Sequence, residues 1–72
     1  MFKDLSEKQR EILDYCTQGY NNETIANKMQ IEQSTLKSYF QGIYKKLKID
    51  KNSSLNKRVS ATILWLEYNQ RH

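Results

Sequence analysis

The stretch NETIANKMQIEQSTLKSYFQ, residues Asn22 to Gln41, carries two helical patterns separated by a short break. Ile25, Ala26 and Met29 share one face of a first short helix, Ile31 sits in the break, and Leu36 and Tyr39 resume the apolar pattern. Apolar residues at these offsets let two short helices pack at a steep angle, so that the second protrudes. This is a helix-turn-helix pattern, spanning about 21–48, and it makes the second helix the element to read for function.

That helix continues past Gln41. Leu36, Phe40, Ile43 and Leu47 recur at i, i+4, i+7 and i+11, within roughly 60° of arc at 100° per residue. Ser34, Lys37, Ser38, Gln41, Lys45 and Lys48 occupy the other side, which is uncharged or positive throughout. The charge of the chain follows the same division. Residues 32–58 hold 7 basic and 2 acidic side chains (net +5), residues 1–31 hold 4 and 5 (net −1), and residues 59–72 hold 1 of each. The overall excess of +4 therefore sits in one segment, the footprint expected of a surface that meets a polyanion.

Outward from this centre the chain reads as all-α, a single domain over its 72 residues with four helices, no Pro and two Gly. Ser6, with Gln9 three residues later, forms a capping box for a first helix from about Glu7 to about Gln18, buried through Ile12, Leu13 and Cys16 and ended by Gly19. Asn21 caps the second helix. The loop after Lys48 offers caps for a fourth helix from about Ser53 to about Asn69. That helix has two apolar stripes on nearly opposite sides: Leu55, Val59, Ile63 and Leu66, and Ala61, Leu64, Trp65 and Tyr68. So small a domain buries only roughly 60% of its unfolded surface and has room for one of them. The second stripe, Ala61, Leu64, Trp65 and Tyr68, is expected to form a twofold dimer interface, because exposed aromatic patches favour interfaces.

Several classes of function are excluded. A single Cys16 makes no internal disulfide, and with only His72 beside it there is no metal spacing to read, which points to a reduced, cytoplasmic protein without cofactors. The longest apolar run, residues 61–66, is far short of the roughly 20 residues of a membrane span. No His–carboxylate or Cys–His pairing and no phosphate-cradling Gly loop suggests an enzyme. Tyr15, Tyr20, Tyr39 and Tyr44 flank the apolar stripes and read as core-edge packing rather than as base-stacking platforms.

The segments Leu5–Leu13, Gln18–Ala26, Ser34–Tyr39 and Lys45–Ile49 resemble the LuxR/GerE (NarL-type) DNA-binding module, and the likeness runs from Leu5 to about Leu66. The resemblance implies a four-helix domain whose third helix, about 33–48, enters the major groove of double-stranded DNA and whose fourth mediates homodimerisation. It places base-reading positions at Lys37, Ser38 and Gln41, with Lys48 and Asn52 near phosphates. Lys suits guanine O6 and N7, and Gln suits adenine N6 and N7. Ser34 joins them from the same outer face. Lys45, Lys46 and Lys51 read as further phosphate neutralisers, and Asn22 and Thr35, near helix N-termini, as phosphate donors. Where the family usually has a Ser cap this chain has Glu32, so the third helix is expected to begin near Ser34. The family often has Gly where Lys48 stands and a non-Gly residue where Gly42 stands.

Two other readings fit parts of the chain. Region 4 of sigma factors is similar over the first three helices and leaves the apolar fourth helix unexplained. A protein-interaction module would use that fourth helix to bind another regulator or RNA polymerase.

Overall fold

The capping box at Ser6 starts the fold as its sequence requires. In the computed structural model, which describes residues 2–49 and 56–71, the Ser6 hydroxyl accepts from the Gln9 amide at 3.1 Å, and Gln9 Oε1 accepts from the Ser6 amide at 2.9 Å. From there α1 runs Glu7–Thr17, followed by α2 (Asn22–Met29), α3 (Gln33–Lys46) and α4 (Lys57–Arg71). A single 3-10 turn, Phe2–Asp4, precedes them. There is no strand among the described residues, and no helix is long and apolar enough to cross a membrane.

The helix starts differ in how they are capped. Asn21 Oδ1 accepts from the Thr24 amide at 2.8 Å, as expected. The third helix begins at Gln33 rather than near Ser34: Glu32 takes the extended N-cap backbone, but its side chain makes no cap hydrogen bond. The fourth begins at Lys57, later than the expected Ser53, with Asn56 Oδ1 accepting from the Arg58 amide at 2.8 Å. Ser53 and the loop caps lie outside the described residues.

The first three helices end alike. In each, a residue one or two positions past the helix is left-handed, at φ 84° for Gly19, 58° for Gln30 and 56° for Lys48. The next amide reaches back to a carbonyl five residues earlier: Tyr20 to Tyr15, Ile31 to Ala26 and Ile49 to Tyr44. This is the Schellman arrangement, and its usual apolar anchor is present, because Tyr20, Ile31 and Ile49 all pack against the core. Gly adopts the left-handed state at no steric cost, whereas Gln30 and Lys48 hold it against about 1–2 kcal/mol of side-chain crowding.

The core forms around α3, which packs against α1, α2 and α4. Its four stripe residues Leu36, Phe40, Ile43 and Leu47 are all buried, together with Leu5, Ile12, Leu13, Cys16, Ile25 and Ala26. Tyr15, Tyr20, Tyr39 and Tyr44 are half-buried at its margin. Gly42 faces the Gln9 side chain of α1: a Cβ there would stand 3.0 Å from Gln9 Nε2. Gln9, only 7% exposed, also accepts from Lys46 Nζ at 3.0 Å, and Lys46 donates to the Asp4 carbonyl at 2.6 Å.

The fourth helix turns the opposite way from the interface expectation. Ala61 and Trp65 are 1% and 6% exposed, whereas Val59, Ile63 and Leu66 are 48%, 46% and 43% exposed. Leu64 and Tyr68 are half-buried against the same core. The reason lies at the N-terminus. Trp65 Nε1 donates to Asp14 Oδ1 at 2.8 Å, satisfying the polar edge that a buried indole needs. Phe2 stacks on Tyr68 with ring centroids 4.3 Å apart. Ala61, Leu64, Trp65 and Tyr68, expected to face a partner, therefore turn toward the domain's own core, and the stripe left exposed is Val59, Ile63 and Leu66.

Two expected outcomes follow from this packing. Gln30→Gly raises stability by about 0.5–1 kcal/mol by relieving the left-handed side chain, seen as a higher denaturant midpoint at unchanged slope. Gly42→Ala delivers less than the roughly 1 kcal/mol that helix propensity alone assigns, because the new methyl meets Gln9. A double-mutant cycle with Gln9→Ala restores the difference; equal increments in both backgrounds would show that the close approach carries no energy.

Candidate nucleic-acid interface

With Leu36, Phe40, Ile43 and Leu47 turned inward, the helical period turns Ser34, Lys37, Ser38, Gln41 and Lys45 outward, within an arc of roughly 100°. All five are exposed. Ser38 Oγ donates to the Ser34 carbonyl at 3.3 Å, which keeps its hydroxyl close to the helix surface.

Beside this face, between α3 and the first turn of α4, run two adjoining shallow grooves. One is lined by Asn22, Gln33, Ser34, Lys37, Phe40, Gln41, Tyr44 and Lys57. The other is lined by Gln41, Tyr44, Lys45, Lys48, Ile49 and Lys57. The two share Gln41, Tyr44 and Lys57, so Lys37, Lys45, Lys48 and Lys57 border one continuous surface, and neither groove has an acid in its lining. Like charges along one acid-free surface add their fields toward an anion that lies in it. The hollow on the outer face of α1 is different, since Glu7, Glu11 and Asp14 there outnumber Lys8 and Arg10.

The expected site residues divide accordingly. Ser34, Lys37, Gln41, Lys45, Lys48 and Asn22 are brought together along the grooves, with Ser38 on the adjacent outer face. Asn22 Oδ1 accepts from Arg58, which leaves its Nδ2 amide as the free polar end, a donor suited to an anion. Thr35 lies on the other flank, in a small hollow with Gln9, Ser38 and Tyr39. Lys46 leaves the phosphate set: it points toward the N-terminal turn, where Asp4 and Gln9 hold its ammonium. Lys51 and Asn52 lie outside the described residues.

Lys57 is the site residue that sequence reading missed. A signal was present, because a cation in the first turn of a helix opposes the macrodipole and so calls for a role other than helix stabilisation. Its placement beside Gln41 and Tyr44 depends on how α4 packs, which no local pattern encodes. Cys16, by contrast, is an inward-facing thiol at the core margin. Burial pushes its pKa up, outweighing the nearby Arg58 charge and the hydrogen bonds from Thr62 and Arg58 that pull it down, so it stays protonated.

Comparison with known proteins agrees with this geometry. Residues 3–59 match the family described as bacterial regulatory proteins, luxR family (GerE). Over 66 residues the chain is 32% identical to the nitrate/nitrite response regulator protein NarP of Escherichia coli (strain K12), an overlap of 92% of this chain and 28% of that protein. The chain thus spans little more than a quarter of the length of this relative. No solved structure gives a significant match. Because the family match covers α1, α2, α3 and the start of α4, and the fold is the all-α helix-turn-helix arrangement, the chain belongs to the luxR family of bacterial regulatory proteins, which points to a DNA-binding transcription regulator.

Proposed function

We propose that this domain binds double-stranded DNA with sequence preference, placing α3 in the major groove and acting as a homodimer through α4. The observation that carries the reading is the outer face of α3, free of acids and continuous with Lys48 and Lys57. A helix of 14 residues with one buried stripe and one short polar face has the dimensions to enter a groove about 12 Å wide. Lys37, Ser38, Gln41 and Ser34 meet base edges, Lys45, Lys48, Lys57 and the Asn22 amide meet phosphates, and α2 braces α3 across the backbone. Such a domain acts in the bacterial cytoplasm, on the nucleoid.

The dimer surface is the exposed stripe Val59, Ile63 and Leu66, at i, i+4 and i+7 on the side of α4 opposite Ala61 and Trp65. Ser60, Thr62, Asn69 and Gln70 flank it, with Glu67 on one side and Arg58, whose guanidinium is engaged by Asn22 and Tyr20, on the other. A nearly neutral rim offers a basic or acidic partner nothing to pair with. A second copy of α4, presenting the same apolar stripe and the same rim, suits it.

Affinity for selected and random duplexes, measured across salt concentrations, tests the DNA reading. Gln41→Ala narrows the preference for selected over random sequence by about five-fold or more, the worth of one base contact of about 1–3 kcal/mol, and leaves random-sequence affinity nearly unchanged. Lys57→Ala weakens binding to all sequences and flattens the log K against log salt slope by about 0.9, whereas Lys46→Ala leaves that slope as it was. A wild-type domain with no salt-dependent retention on DNA would overturn the proposal.

Sedimentation tests the dimer. Ile63→Glu keeps its helical signal and sediments as a monomer, while the parent dimerises at high concentration. Equal masses for the two at every concentration would remove α4 as the interface.

A further inference from the structure

The fourth helix meets the helix-turn-helix through one forked side chain. Arg58, in the first turn of α4, donates from Nη1 to Asn22 Oδ1, on the first residue of α2, and from Nη2 to the carbonyl of Tyr20, in the turn that ends α1. Its guanidinium carbon stands 5.5 Å from the centroid of the Phe40 ring on α3. One planar group thus touches the α1–α2 connection, the start of α2 and the buried side of α3. Two parallel donors and a stacking face in one rigid plane are properties of guanidinium that an ammonium lacks.

Two further features give this placement a consequence. Arg58 neighbours Val59, the first member of the exposed apolar stripe, and both line a groove that continues to Thr62 and Ile63. At its other end, by occupying Oδ1 of Asn22, Arg58 fixes which end of that amide faces the groove shared with Lys37 and Lys57. The side chain spans the distance from the apolar face of α4 to the surface beside α3.

We propose that Arg58 is a positioning residue that locks α4 to the start of α2, so that pairing of two α4 helices sets the separation of the two reading helices. The inference rests on the DNA-binding dimer argued above and adds to it the element that transmits geometry between the two surfaces. Without the fork, each domain still folds and still meets a single half-site, but the angle between α4 and α3 loosens and the two half-sites need no longer lie at one fixed spacing.

The experiment compares the parent with Arg58→Lys, which keeps the charge and loses the fork. Duplexes carry either one half-site or two, with the centre-to-centre distance stepped through about one helical turn. The parent is expected to prefer one spacing. Arg58→Lys is expected to lower single half-site affinity by no more than the one phosphate contact of the Asn22 amide and, beyond that, to lose the spacing preference by roughly five-fold or more, the lower range of coupling between sites. An unchanged spacing profile would overturn the inference, and so would an equal loss of affinity on every duplex, which marks a general structural role. Amide exchange of Thr24 and Ile25 in the free protein provides an arm that needs no DNA: faster exchange in Arg58→Lys supports the lock, and unchanged rates overturn it. A parent that binds no DNA at all sinks the DNA-binding reading, while the exchange arm still decides whether Arg58 holds α2.

Discussion

Everything in this domain depends on α3 being buried along one narrow stripe. Leu36, Phe40, Ile43 and Leu47 are the surface that α1, α2 and α4 share, and their burial is what leaves the opposite face of the same helix open. A wider apolar stripe would have drawn Gln41 or Tyr44 into the core and covered the basic edge. A narrower one would have left three short helices without a common partner, in a chain whose size permits only a small core. Structural and functional demands are thus separated by angle around one helix axis.

The approach of α1 to this helix is set by polar as well as apolar groups. Gln9 caps α1, meets Gly42 with its side chain, and accepts from Lys46, so one buried amide ties the start of α1 to the end of α3. A lysine of α3 thus serves architecture. Its ammonium is used on the N-terminal turn and contributes no charge to the groove. The cations that border the groove are Lys37, Lys45 and Lys48 of the α3 segment and Lys57 of α4.

Much of the fold was legible because its signals are local. The Ser6–Gln9 box, the Asn21 cap, the Gly19 stop and the stripe of α3 each depend on residues within one or two turns of one another, and all appear where their spacing places them. The left-handed turns at Gln30 and Lys48 were harder to read, since neither residue announces positive φ; the half-buried anchors Ile31 and Ile49, packed against the core, hold them there. The luxR-family match supports the DNA-binding character that the charge pattern of residues 32–58 had suggested.

What the sequence alone determined, then, was the four helices, the helix-turn-helix between Asn22 and Gln41, and the polarity of α3, because each is written in periodicities and caps that act over a few residues. What only the tertiary structure decided was which side of α4 is buried and which cations border the groove. Both stripes of α4 are apolar, so period and hydrophobicity weigh them nearly equally. The choice fell to partners far away in the chain: Asp14 for the Trp65 indole, Phe2 for Tyr68, and Asn22, Tyr20 and Phe40 for Arg58. Interactions between residues 18 to 66 positions apart have no local signature, and the packed core is where they are resolved.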